Sequence, residues 1–554
     1  MVYLFEKIIK RMDLMESSKL LRGTFLLTLG TIISKVLGML YVIPFYHIVG
    51  EKGNALYSMA YIPYSIFISI ATAGLPLAVA KFVSKYNSLE EYAVGRKLFK
   101  SGLIMMSCTG IVAFVILYLF APILAAASIP DNADVSVQDG TTVIRAVSFA
   151  LVIVPFMSLI RGFFQGHQSM GPSAVSQVVE QIVRVIFMLS GAYIILNLLK
   201  GSLVTAVSVA TFAAFIGAVG SLVVLLWYWY KRKPHLDKLL LEDKGVIDVS
   251  LKETYKEIIV YAIPFIFVGL ANPLFQFIDE LTFKGAMESI GLKDQVVTAF
   301  GVLTLNTHKL VIIPVSLATA FSLTLVPAIT KAYTEKDHVS LVQQVNQTIQ
   351  IVLFFTLPAV VGLSLLAEPI YTVFYHHKEL GTDILRIYAP VAILFSLFSI
   401  TAAVLQGINK QKYTIISLLL GLMVKLCLNI PLIKIFATSG AVIATSIGYL
   451  MAIIINFYVI KKFAGYSLRL VIKRVLQIGF FTLAMFIGTL FTYMLLTLFL
   501  SAQAKVDACI IVIVCMVVGI SIYFCLSVKS NLIIQLFGER AIRVIKKLNI
   551  NKSF

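Results

Sequence analysis

Apolar residues run in blocks of twenty or more along almost the whole chain, separated by short polar breaks. An α-helix needs about 20 such residues to cross the hydrocarbon layer of a bilayer, at a rise of about 1.5 Å per residue. Blocks of this kind fall near 22–48, 55–83, 98–121, 142–162, 173–199, 203–230, 258–283, 297–330, 341–367, 384–406, 413–435, 438–460, 476–500 and 507–528. The pattern predicts an all-α polytopic membrane protein with about 14 transmembrane helices. The third and fourth blocks are joined by "SIPDNADVSVQDGT", which has three aspartates and no lysine or arginine. The sixth and seventh are joined by "KRKPHLDKLLLEDKGVIDVSLKETYK", which has seven basic residues.

These breaks orient the chain. With the N-terminus cytoplasmic, about 33 of the 46 Lys and Arg fall in inside segments and about nine outside, and four lie within spans. That asymmetry places both termini in the cytoplasm. The net charge of +19 is then mostly topology and contact with anionic lipid, and does not argue for nucleic acid. With only 13% charged residues, the chain has too few to cover a water-facing surface, which excludes a soluble domain. The N-terminal "MVYLFEKIIKRMDLMESSKLLRG" is no cleavable signal. It suits a basic helix lying on the membrane surface, although Met15 would serve as an alternative initiator. The tail "GERAIRVIKKLNINKSF" suits the same surface role.

Two pieces of sequence recur. "IPYSIFISIATAGLP" matches "IPVSLATAFSLTLVP", pairing Pro63 with Pro314 and Pro76 with Pro327. "FFQGHQSMGPSAVSQVVEQIVRVIFML" matches "VLQGINKQKYTIISLLLGLMVKLCLNI", pairing Gln165 with Gln406, Gly166 with Gly407 and Arg184 with Lys425. Two copies of a six-helix bundle follow, with two added helices: a tail 1–21, a first lobe 22–230, a cytoplasmic linker 231–257, a second lobe 258–460, two helices within 461–528 and a basic tail 529–554. An even number of spans per copy keeps both in one orientation, with a substrate site expected at the midplane between them. The paired prolines remove backbone hydrogen bonds and are candidate hinges.

Charges inside the spans are the candidate chemistry, since each costs about 2.5–3.5 kcal/mol on insertion scales. The basic ones are Lys35, Arg184, Lys309 and Lys425; the acidic ones are Glu180 and, near the end of the seventh span, Asp279 and Glu280. Glu180 and Arg184 stand one turn apart in the favourable order for a pair on one helix face. The repeat keeps the cation as Lys425 but puts Gly421 where Glu180 was. Neutralising Glu180 therefore does not account for both cations, and an anionic ligand such as a phosphate or pyrophosphate does. Gln165 and Gln406, repeated beside the cations, join Lys35, Arg184, Lys309, Lys425 and Glu180 as candidate substrate-binding residues. Cys108, Cys427, Cys509, Cys515 and Cys525 all sit in apolar runs without metal-ligand spacing and read as buried small hydrophobes, with no disulfide framework. His376 and His377 lie in a short loop with no ligand cluster nearby. No P-loop pattern or metal motif is present, so neither a nucleotide nor a metal cofactor is expected.

"SSKLLRGTFLLTLGTIISKVLGMLYVIPFY", "RGFFQGHQSMGPSAVSQVVEQIVR" and "LQGINKQKY" resemble the YtgP/SpoVB group of polysaccharide-export proteins, in the MurJ-like branch of the multidrug/oligosaccharidyl-lipid/polysaccharide flippase superfamily. The likeness runs over nearly the whole chain. It implies fourteen helices in two lobes, a V-shaped central cavity, and a groove from the last two helices for a lipid tail, all in a bacterial cell membrane. "SKVLG" aligns Lys35, and "HKLVIIP" aligns Lys309, with cavity arginines of Gram-negative members; two further arginines of those members fall at Tyr41 and Phe67. The implied activity moves undecaprenyl-pyrophosphate-linked peptidoglycan precursor, lipid II, between leaflets by alternating access.

Other readings stay open at this level. A flippase for capsule, teichoic-acid or spore-cortex units shares the same signals. A cation-coupled drug exporter requires a lone carboxylate, for which Glu180 is the candidate. A polytopic glycosyltransferase requires acidic or metal-binding loops that this chain lacks. The driving force is open between membrane potential and a monovalent ion, and other cell-wall synthesis proteins are possible partners.

Overall fold

The computed structural model describes residues 30, 33–38, 40–72, 75–129, 135–245, 250–466 and 469–537. The N-terminal tail and residues 538–554 of the C-terminal one lie outside these. Among the described residues all regular structure is helical. Two compact units divide the chain, residues 1–273 and 274–554.

In the first unit a helical stretch at 33–38 leads into α1 (Val42–Thr72), followed by α2 (Leu75–Ser88), α3 (Tyr92–Ser128), α4 (Val137–Ser148), α5 (Ala150–Gly166), α6 (Met170–Tyr193) and α7 (Leu203–Leu241). Within α1, Gly50 has φ 66° and ψ −170°, a conformation essentially reserved for glycine. It separates two helices, so the first and second predicted spans meet there. Helix starts are set by local chemistry. Ser136 accepts from the Asp139 N–H while the Asp139 carboxylate accepts from the Ser136 N–H, and Ser202 accepts from the Thr205 N–H. The core of this unit gathers Val79, Val83, Leu159, Ile160 and Ala218 beside an aromatic group in which Phe99 lies 4.2 Å from Phe163 and 5.0 Å from Trp229.

Helix α8 (Leu251–Ser289) crosses the division. The second unit continues with α9 (Val296–Gly301), a π-helical turn at Val302–Thr307, α10 (His308–Thr334), α11 (His338–Leu365), α12 (Ala367–Phe374), α13 (Glu379–Tyr388), α14 (Val391–Gly407), α15 (Gln411–Phe436) and α16 (Thr438–Ala464). An added hairpin of α17 (Arg469–Thr497) and α18 (Lys505–Lys529) follows, then the short α19 (Leu532–Phe537). Leu325, Ile329, Ile349, Val352, Ile400, Val404 and Val459 form this unit's main core. Ile351 and Phe354 of α11 pack on Ile478, Phe481 and Met485 of α17 and on Tyr523 of α18.

Twelve helices among the described residues are long and apolar enough to cross a membrane. Two of the fourteen predicted spans do not stand apart in that number. The first two run together as Ile33–Ile70 through the glycine break, and α8, which carries the uncharged apolar run of the seventh predicted span before Asp279, Glu280 and Lys284, is not among the twelve. The linker placed at 231–257 is also mostly helical, being the end of α7 and the start of α8. Of the five cysteines only Cys515 is buried, and the other four are exposed. Apolar spans have a lipid solvent, so a small hydrophobe need not be inside the protein. His377 of the short loop lies 3.7 Å from Glu368.

Candidate functional site

The repeated Gln-Gly runs end equivalent helices. Gly166 closes α5 and Gly407 closes α14. A Cβ at Gly166 would stand 2.9 Å from the Ala80 carbonyl of α2, and one at Gly407 would stand 3.2 Å from the Val326 carbonyl of α10. Each helix is followed by a left-handed residue, Gln168 at φ 55° and Asn409 at φ 56°. The closing bonds match: Ser169 N–H to Phe164 O at 2.9 Å, and Lys410 N–H to Leu405 O at 2.8 Å. This is a Schellman-type stop. Gln165 and Gln406, predicted to contact substrate, are half-buried in these last helical turns. The recurrence of the glycines beside them is explained by the turn and by the close helix approach. In the first copy the His167 ring packs at a tilt against Phe163 with ring centroids 4.4 Å apart, and its Nδ1 meets the Phe163 carbonyl. Burial lowers the imidazole pKa, opposed by that carbonyl contact.

The prolines differ between copies. Pro63 stands inside α1, and Pro76 occupies the first turn of α2, whereas Pro314 and Pro327 lie within the single helix α10.

The sequence paired Glu180 with Arg184, and the structure does not. Glu180 bonds to Arg161, with Oε2 2.7 Å from the guanidinium Nη2. Arg161 comes from α5 and also donates to the hydroxyls of Ser176 at 2.9 Å and Ser221 at 2.7 Å, tying α5, α6 and α7 together. Arg161 stands at the edge of its apolar run, where an arginine reads as part of the adjoining loop. One signal was available: with the 241-residue offset, Arg161 and Glu180 map to Ala402 and Gly421, so both charges vanish together in the second copy.

Arg184 is thereby released from Glu180. Its Nη2 donates to the Tyr57 hydroxyl at 3.2 Å, and its guanidinium lies over the Tyr61 ring, 5.3 Å from the centroid. Tyr57 and Tyr61 stack at 5.5 Å, Tyr64 lies 5.2 Å from Tyr61, and the Tyr41 hydroxyl is 3.4 Å from that of Tyr57. The Arg184 Nε is buried without a hydrogen-bond partner, and the residue has no carboxylate partner among the described residues. Close packing behind it depends on Gly217 of α7, where a Cβ would fall 2.8 Å from the Arg184 Cβ. The tyrosine cluster was legible as the i, i+4, i+7 spacing of "YSMAYIPY", one helix face of aromatic residues.

Lys35 is exposed on the helical stretch preceding α1. That stretch lies parallel to α6: Gly30 approaches Ala174, and Gly38 approaches Gln181, at 3.0 and 3.3 Å from their would-be Cβ atoms. With Ser34 between them, Gly30 and Gly38 form the small-residue stripe that lets membrane helices come close. Interpolating between those contacts puts Arg184 about 8 Å further along the axis than Lys35, at a rise of about 1.5 Å per residue.

In the second unit Lys309 is half-buried in the first turn of α10, directly after the π turn. Its neighbour His308 shares a 2.8 Å hydrogen bond with the Tyr388 hydroxyl. Lys425 is wholly buried and paired with Asp279 of α8 at 2.6 Å. No acid stands one turn before Lys425 on its own helix; the acid arrives from a helix 146 residues earlier in the chain. All three donors of the ammonium are used within the protein, which corrects the expectation that Lys425 meets a ligand.

A separate cavity of about 620 Å³ opens within the second unit between α10, α11, α17 and α18. Its walls are apolar, including Pro314, Phe355, Ala359, Met485, Met516 and Ile520.

Two family models match: a polysaccharide biosynthesis protein model over residues 20–333 and a MatE model over residues 264–431. The chain is 49% identical to the lipid II flippase MurJ of Bacillus subtilis over 531 residues, covering 95% of this chain and 98% of that protein. It is 23% identical to stage V sporulation protein B of the same organism, covering 82% and 86%. Among solved structures, a lipid II flippase MurJ in an inward closed conformation superposes with TM-score 0.64 at 17% identity, covering 92% of this chain and 100% of that one. An inward-facing multidrug resistance MATE family transporter superposes with TM-score 0.60 at 16% identity, covering 78% and 94%. These two likenesses show the fold.

Proposed function

The chain belongs to the polysaccharide biosynthesis protein family, in the branch that holds the lipid II flippase MurJ, and from that membership we propose that it moves lipid II from the inner to the outer leaflet. It is a transporter acting by alternating access, with both termini cytoplasmic, and no covalent chemistry is required.

The observation that carries the ligand assignment is Arg184. An arginine inside a membrane span normally finds a carboxylate or a polar cavity. This one has tyrosine hydroxyl and ring contacts, no carboxylate among the described residues, and a buried Nε without a partner. Tyrosines hold the guanidinium in place without cancelling its charge, so it remains able to bind phosphate oxygens bidentately. Lys35, parallel to it and exposed, supplies a second positive charge. Lys309 is the corresponding candidate in the second unit. The apolar cavity of α10, α11, α17 and α18 suits a section of the prenyl tail, whose transfer out of water is favourable wherever apolar surface covers it.

Glu180 argues against the drug-exporter reading. A coupling carboxylate must be able to exchange its cation, and this one is engaged by Arg161. Movement of a different lipid-linked glycan is the remaining alternative.

The test is replacement of an essential lipid II flippase in cells, scored by survival and by lipid II reaching the outer leaflet. The unsubstituted chain should rescue. Arg184→Ala and Lys35→Ala should each reduce exposed lipid II at least tenfold at equal expression. Rescue by both variants at full rate would remove the cationic site, and failure of the well-expressed parent would remove lipid II as the substrate.

A further inference from the structure

The buried end of Lys425 sits in a shell of oxygens. Its Nζ lies 2.7 Å from the Phe275 carbonyl oxygen, 2.6 Å from Asp279 Oδ2 and 2.8 Å from Thr445 Oγ1. Thr445 donates its own proton to the Ala441 carbonyl at 2.8 Å, so its lone pairs are left for the ammonium. The second Asp279 oxygen accepts from Asn429 Nδ2 at 3.0 Å, and the same amide group donates to Thr282 Oγ1 at 2.7 Å. Asn429 is fully buried, and its Oδ1 has no hydrogen-bond partner.

The donor set is therefore one carboxylate, one backbone carbonyl, one hydroxyl, and one amide oxygen to spare. Every ligand atom is a hard oxygen, and the shell carries a single formal negative charge. A divalent ion would be left with an uncompensated charge in a membrane-buried position, whereas a monovalent one is balanced. Backbone carbonyls and side-chain oxygens at membrane depth are the groups that hold alkali ions in transport proteins.

We propose that this is a monovalent-cation cage whose resident ion is the ammonium of Lys425, tethered to the chain in place of an exchangeable alkali ion. The unsubstituted protein then takes up no alkali ion at this position. Removing the side chain frees the oxygens together with the space its methylene stem occupied, and so opens the cage to sodium or potassium. The inference rests on contacts inside the second unit and is independent of which lipid the protein moves.

The experiment follows thermal unfolding of the purified full chain in detergent, in sodium, potassium or choline chloride at constant ionic strength. The unsubstituted protein should give one Tm in all three salts. Lys425→Ala should unfold at lower temperature in choline and recover as the logarithm of sodium or potassium concentration, the form expected for a ligand that binds only the folded state. Adding Asp279→Asn to Lys425→Ala should abolish that recovery. Lys425→Ser, which adds a hydroxyl ligand, is the second variant and should respond as the alanine variant does. A Tm of the unsubstituted protein that rises specifically with sodium or potassium overturns the proposal. So does the absence of any cation response in both single variants, whether they fold in every salt or in none.

Discussion

Glu180 has two arginines within reach by sequence, and a double-mutant cycle distinguishes them. The structure assigns it to Arg161, at 2.7 Å, with side-chain exposures of 13% for Arg161 and 23% for Glu180. At that separation the gross attraction is about 6 kcal/mol for an effective dielectric of about 20. Desolvation cancels most of it. Exposed pairs net about 0–1 kcal/mol, and breaking buried ones costs about 3–5 kcal/mol, so a half-buried pair should show a coupling of about 1–3 kcal/mol. Arg161 retains Ser176 and Ser221 when Glu180 is removed, which holds the expected value toward the lower end. The Glu180–Arg184 pair, one turn apart on α6, should couple by no more than about 0.5 kcal/mol, the ordinary worth of an i, i+4 pair. The assay is thermal unfolding of purified Glu180→Ala, Arg161→Ala, Arg184→Ala and the two double variants in detergent. Larger coupling to Arg184 than to Arg161 would refute the assignment, and with it the claim that Arg184 is unneutralised.

Three further outcomes follow from local geometry. Gly166→Leu and Gly407→Leu should each destabilise by at least about 1–3 kcal/mol, the usual cost of overpacking, because each new side chain meets a neighbouring helix backbone; expression and thermal stability check this, and tolerance at both positions would deny the close approach. Burial holds the His167 imidazole neutral, with a pKa below its ordinary 6.5, so the unfolded chain binds more protons in between. Its contribution to stability is present above pH 6.5 and is lost as pH falls through the lower folded value, and His167→Gln should flatten that part of a Tm-against-pH curve. Ala359→Trp should fill the apolar cavity lined by α11 and α18, lowering lipid II exposure in cells while leaving purified protein folded.

How much of this was legible depends on the range of the interaction. Helices were readable because hydrophobic length is a local property, and the duplication was readable because Gly166 and Gly407 perform the same packing task in both copies. Less legible was the boundary between the first two spans, which a single backbone conformation at Gly50 sets. The in-span charges were found one by one, yet two of their pairings were missed for the same reason. Arg161 reaches Glu180 from another helix, and Asp279 reaches Lys425 across 146 residues, while sequence patterns weigh only neighbours on one helix.

Placing the two copies side by side gives the recurrent cation a sharper meaning. Each copy must stabilise charge inside its helices, and each does so differently. In the first, Arg161 and Glu180 satisfy each other and Arg184 is left with tyrosines. In the second, Ala402 and Gly421 replace that pair, and Ser417 bonds instead to Asn456, which bonds to Thr401, a neutral network in the same region of the bundle. The remaining cation, Lys425, is then closed off by Asp279. An equal need for an anion-facing charge in both copies would have left Lys425 as open as Arg184. On the proposed reading, anion contact at this repeated position falls to the first copy alone. Arg184→Ala should therefore lower lipid II exposure far more than its effect on Tm explains. Lys425→Met should cost stability and activity in proportion, and a flipping defect in Lys425→Met at unchanged Tm would contradict that division of labour.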